Sequence, residues 1–183
     1  MKLKTLIRLW LWTTLMAVAA FAVLAYYEPI LKSQTGFNVR DLQFAATAYD
    51  FKRVFAAWIA RPHAAIAGFS LGFDYLFMPL YAMSFYFSAM LAREAFTPRR
   101  GVWRRVMDYL GFVPFIGAIA DAIENALEFS MLSGSATDGI GQAASMATSV
   151  KTTCFYVGLL LLLGAIAGVI KLRRPKKEVS PSP

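Results

Sequence analysis

The sequence has one cysteine, Cys154, and one histidine, His63, in 183 residues. A single thiol closes no internal disulfide, and its place inside a long apolar run argues against redox chemistry. With no His-rich or Cys-rich spacing, nothing suggests a zinc site. There is also no Gly-rich phosphate loop, no Ser-His-Asp set and no internal repeat, so none of these supplies a reaction. His63 follows Pro62 in a connecting segment, where a histidine reads first as solvated and only second as catalytic. Charge is sparse too, at 16% of residues.

What is abundant is apolar surface. The chain is 58% hydrophobic, with a mean hydropathy of +0.51, too apolar for an ordinary soluble domain of this size. Leu9–Tyr27 and Thr152–Ile170 each run 19 residues without a charge, and Tyr75–Ala92 runs 18. About 20 helical residues cross a ~30 Å hydrocarbon core, so these are three expected spans. Pro79 inside the third window is tolerable where neighbouring helices satisfy the freed carbonyl. Tyr109–Ala120 gives only 12 uncharged residues, but extension to Met131 makes 23, enough for a fourth span. The basic leader "MKLKTLIR" and Val23-Leu24-Ala25 loosely fit a signal peptide, yet the apolar run exceeds a usual signal core, and a retained helix is expected.

The expected fold is therefore an all-α, polytopic membrane protein in one domain over residues 1–174. Its four transmembrane helices fall at about 6–30, 70–93, 108–131 and 150–172. The Pro/Ser-rich tail, 175–183, reads as disordered.

The net charge of +8 does not point to nucleic acid, because its placement follows topology. Lys2, Lys4 and Arg8; Arg93, Arg99, Arg100, Arg104 and Arg105; and Lys171, Arg173, Arg174, Lys176 and Lys177 make thirteen of the 19 basic residues. All lie on one side of a four-span arrangement, which makes both termini cytoplasmic. Leu132–Val150, on the other side, has no Lys or Arg. The expected location is a bacterial cytoplasmic (inner) membrane, with basic residues available to anionic lipid headgroups.

The long external segment from Leu31 to Ser70 weakens the charge count but carries its own pattern. Phe44, Ala48, Phe51, Phe55 and Trp58 recur at helical spacing, predicting an amphipathic helix over about 41–60 that ends at Pro62. It either covers helix ends or gates access to the bundle.

Against this background "DAIENALEF", Asp121–Phe129, stands out. At ~100° per residue, Asp121, Glu124, Asn125 and Glu128 share one stripe of the third span. Ionisable groups near a bilayer centre cost roughly 2.5–3.5 kcal/mol each on insertion scales, so the stripe should face protein. Antiparallel helices bring Asp74, near the start of the second span, and Lys151, at the start of the fourth, to the same level. Four carboxylates and one lysine cannot all stay charged and dry. Protons, a cation, further basic groups or water must join them.

Two readings follow. One is a polar network that fixes helix register. The other is a functional pocket, with Asp121 and Glu124 as acid–base candidates and Asp74, Asn125, Glu128 and Lys151 as ligand-binding candidates. No cofactor is expected, and a hard divalent cation such as Mg²⁺ or Ca²⁺ is conceivable at the carboxylates but not favoured. The aromatic second span suits core packing or a flat apolar ligand. Gly164 and Gly168 permit close helix contact, within the chain or in a homodimer.

The segments "RDLQFAATAYDFKRVFAAW", "GFDYLFMPLYAMSFYFSAML", "FIGAIADAIENALEFSML" and "MATSVKTTCFYVGLLLL" resemble a recurring group of small bacterial four-helix membrane proteins. These share an aspartate opening helix 2, a D-x-x-E-N on helix 3 and a lysine opening helix 4. The resemblance covers Arg40 to about Leu163 and points to Asp74, Asp121, Glu124, Asn125 and Lys151 without implying a reaction. A looser similarity of layout is to the EXPERA proteins, of the sterol-isomerase and sigma-2-receptor type, through Asp41-Leu42-Gln43 and Asp74. The D-x-x-E-N helix departs from their pattern. Together these features predict a pocket that binds or modifies a lipid-like or apolar small molecule. The alternative is a non-enzymatic accessory subunit whose acids are structural.

Overall fold

The structure, a computed structural model, describes residues 1–59, 63–97 and 101–173. Seven helices follow in order: α1 Leu3–Thr35, α2 Val39–Gln43, α3 Ala48–Trp58, α4 His63–Phe96, α5 Val102–Leu110, α6 Val113–Ser130 and α7 Asp138–Arg173. No strand occurs among the described residues. Four segments, comprising α1, most of α4, α5 with α6, and α7, are long and apolar enough to cross a membrane. The expected disordered tail lies outside the described residues.

α4 is the central helix. Two-thirds of its most apolar window is buried, against 17–28% for the other three. It packs against α1, α6 and α7, and α6 packs against α7. Its inward side combines small and large residues, with Ala82, Ser88, Ala89 and Ala92 beside Met78, Tyr81, Phe85 and Leu91. α7 answers with a stripe at intervals of three and four: Gly141, Ala144, Thr148, Cys154, Gly158, Leu161, Ala165 and Gly168. Small residues let helix backbones approach closely. A methyl on Gly158 would collide with the Phe85 ring, and one on Gly117 of α6 would sit 2.7 Å from the Cys154 Cβ. Gly164 and Gly168 face Ala92 and Ala95 of α4, so this pair is used within the chain.

The outward faces are apolar, with Leu11, Leu15 and Val18 on α1, Ile116, Ile119 and Ile123 on α6, and Leu160 and Leu163 on α7 all exposed. At one end of the bundle α2 and α3 form a cap. Leu42, Phe51, Val54 and Trp58 pack there with Leu31 of α1, Met131 and Ala144.

The element boundaries depart from the sequence expectations in four places. The amphipathic stretch is two helices rather than one. Asn38 and Asp41 close a reciprocal capping box on α2, and Thr47 caps α3 by accepting from Asp50 N at 3.1 Å. Asx and hydroxyl side chains that satisfy free N–H groups restart a helix at that point. As a result Phe44 falls between the helices and is 62% exposed.

The third span is broken at Gly111 and Phe112, between α5 and α6, and ends in a wide turn, Met131–Ser135, with Gly134 at φ 104°. α4 begins at His63, which is therefore helical rather than in a loop. α7 begins at Asp138, so the cation-free segment Leu132–Val150 is mostly helix. Lys151 accordingly lies thirteen residues into α7, about 20 Å from its first turn, and not at the helix start.

Candidate functional site

The predicted acidic stripe forms. Asp121, Glu124, Asn125 and Glu128 on α6 are all buried, none more than 4% exposed. α6 holds them inward because its other face is apolar and open. Lys151 reaches across from α7, and its Nζ donates to Asp121 Oδ1 at 2.9 Å and to Glu124 Oε1 at 3.0 Å, with Glu124 Oε2 at 2.9 Å. One ammonium thus spans two carboxylates one helical turn apart on α6. Asn125 Nδ2 donates to Asp74 Oδ2 of α4 at 3.1 Å. The levels match even though both α4 and α7 start earlier than expected, because their extra turns rise beside the α2–α3 cap.

Glu128 is different. It is fully buried, and neither of its carboxyl oxygens has a hydrogen-bond partner among the described residues. The Asn125 side-chain oxygen is likewise unpaired.

A cavity of about 450 Å³ adjoins this network, lined by Asp74, Asp121 and Lys151 together with residues of α1, α2 and α7. Its size lies within the range of small-molecule sites, about 300–1,000 Å³. Glu124, Asn125 and Glu128 are not in its wall. The six predicted site residues therefore divide. Three face open space, and three lie behind them, sealed in protein. Among the described residues no three acidic, His or Cys side chains converge as a metal site.

Three contributors were not among the predicted site residues. Tyr81, two turns below Asp74 on α4, donates to Asp121 Oδ2 at 3.3 Å and lines the cavity. Its seven-residue separation from Asp74 places the two on one face, but in an aromatic-rich helix that spacing looks like core. Arg40 of α2 lines the rim. Thr148, three residues before Lys151, donates to the Gln43 and Ala144 carbonyls, both at 3.1 Å, and joins α7 to the cap.

No family model, curated protein or solved structure matches the chain, so the site's chemistry rests on its own residues.

Proposed function

We propose that this is a multi-pass protein of the bacterial cytoplasmic membrane, with both termini cytoplasmic. Its acidic cavity, near the external face, binds a lipid-like or apolar small molecule. The observation that carries the reading is that Asp74, Asp121 and Lys151 face a ligand-sized cavity rather than one another alone. Intramembrane carboxylates at a cavity are functional by default, because their insertion cost is otherwise uncompensated. Asp74 and Asp121 serve as polar anchors and Lys151 as charge partner. Any proton transfer to the ligand falls to Asp121, with Glu124 and Asn125 positioning Lys151 and Asp74.

A second reading has its own support. Glu124 and Asn125 are sealed from the cavity and already paired, as expected of a register-fixing network in an accessory subunit. Asp121→Asn and Glu124→Gln separate the two. The protein is reconstituted in lipid nanodiscs and co-purifying molecules are read by mass spectrometry. The pocket reading expects folded variants, with a specific molecule lost from Asp121→Asn. If both variants unfold and nothing specific accompanies the native protein, the structural reading holds. Reporter fusions to the C-terminus test the orientation, and an external C-terminus refutes it.

A further inference from the structure

The acidic cavity does not end at Tyr81. A second cavity of about 320 Å³ continues along the bundle, sharing Phe21, Phe77, Tyr81 and Phe155 with the first. Its accessible wall carries no polar surface. Both lie between α1 and α7 over α4, and α1 packs on α4 while scarcely touching α7. The two therefore form one cleft, polar toward the α2–α3 cap and apolar toward the middle of the bundle. That is the polarity of a lipid in the adjoining leaflet, head outward and chain inward.

The polar end has a charge order of its own. Arg40, at the rim, has no ion-pair partner among the described residues, while Asp74 and Asp121 lie deeper and adjacent to each other. Lys151 is already spread over Asp121 and Glu124. Pro29 in α1 has no N–H, so the Ala25 carbonyl has no helical donor, and Ala25 also lines this cavity. The deep end thus gathers acceptors. Toward the rim Glu28 of α1, which accepts from Asn38 Nδ2 at 3.5 Å, adds a further carboxylate for an ammonium, and Arg40 offers a guanidinium, which binds phosphate oxygens in a fork.

The geometry points to a zwitterionic phospholipid with a primary ammonium: its N–H groups donate to Asp74 and Asp121, its phosphate pairs with Arg40, and one acyl chain fills the apolar cavity. This rests on the ligand-binding reading above and specifies its ligand class. A choline headgroup lacks the N–H donors, and a glycerol headgroup lacks the positive charge.

The test titrates lyso-phosphatidyl-ethanolamine, -choline and -glycerol of one chain length into delipidated protein, with bound fractions read by native mass spectrometry. The ethanolamine lipid should bind about ten-fold tighter than either other, the worth of one charge-assisted hydrogen bond. Asp74→Asn should erase that preference, and Arg40→Ala should weaken all three lipids. Should Asp74→Asn fail to fold, Arg40→Ala on the exposed side of α2 still decides the phosphate contact.

Equal binding of the ethanolamine lipid and either other, a preference that survives Asp74→Asn, or an indifferent Arg40→Ala overturns the inference. Ala17→Trp, which fills the apolar cavity, separates this failure from that of the broader reading. Lipids that bind without headgroup preference and are lost in Ala17→Trp refute only the head assignment. Weak binding of all three that Ala17→Trp leaves unchanged refutes the lipid pocket itself.

Discussion

Lys151→Met removes the one cation that, among the described residues, pairs with the acid network. The Lys151 side chain is 15% exposed, that of Asp121 6% and that of Glu124 0%. At an effective dielectric of about 20, a unit-charge pair at about 3 Å attracts by about 5–6 kcal/mol, and Lys151 makes two such pairs. Desolvation of all three groups offsets much of that gross attraction. Truncating one partner of a buried ion pair leaves the other charges uncompensated and costs about 3–5 kcal/mol.

Lys151→Met should therefore lose about 3–5 kcal/mol, at least about two powers of ten in the folded-to-unfolded ratio. The assay is reversible unfolding in mixed detergent micelles, followed by far-UV circular dichroism. Adding Asp121→Asn and Glu124→Gln to the same chain removes the charges left behind, and should return stability to within about 1–2 kcal/mol of the native protein. A loss below about 1 kcal/mol for Lys151→Met, or a triple variant as unstable as the single one, would refute the view that one ammonium offsets two buried carboxylates.

Two further outcomes test the framework around the site. Gly158→Leu should destabilise by at least about 1–3 kcal/mol, because its Cβ meets the Phe85 ring, and Phe85→Ala in the same chain should recover part of the loss; thermal unfolding in detergent reads both. Thr47→Ala should cost about 1 kcal/mol and speed hydrogen exchange in Ala48–Trp58 while leaving α6 and α7 protected, since only the α3 cap is lost.

The long helices were legible because lipid-length apolar runs survive any detail of packing. Their ends were not. Asp138–Val150 is rich in Gly, Ser and Thr and reads locally as loop. Its Gly141, Ala144 and Thr148 become a helical stripe only against the cap, where Ala46 O lies 3.1 Å from a methyl placed on Gly141. That partner is about a hundred residues away, and no local pattern announces it.

The acidic stripe was legible for the opposite reason, since helical period alone places Asp121, Glu124, Asn125 and Glu128 on one face. Which of them meets Lys151, and which see the cavity, depends on the rotation of α6 against α4 and α7. Close contacts such as Gly117 on Cys154 fix that rotation. Tyr81 belongs to the same class: its ring is indistinguishable from core until Asp121 is known to lie 3.3 Å from its hydroxyl.

α1 is held on the bundle at its start, its middle and its end. Near its start Leu6 and Trp10 are buried, Trp10 Nε1 donates to Ser88 Oγ at 2.9 Å, and Thr14 shares a 2.7 Å hydrogen bond with Ser84. Near its end Leu31 is locked under the cap. Midway, Ala17 and Ala20 are buried too, Ala17 against Met78, Tyr81, Ala82 and Phe85 of α4, and it is beyond them that Phe21, Leu24 and Ala25 line the cleft. The stretch of helix over the cleft is thus short, running from Phe21 to Glu28 between the buried Ala20 and Leu31, with the Pro29 joint at its far end. Such a wall yields by bowing and not by swinging away, so a chain entering the cleft as proposed would do so sideways, with the acid network left in its geometry.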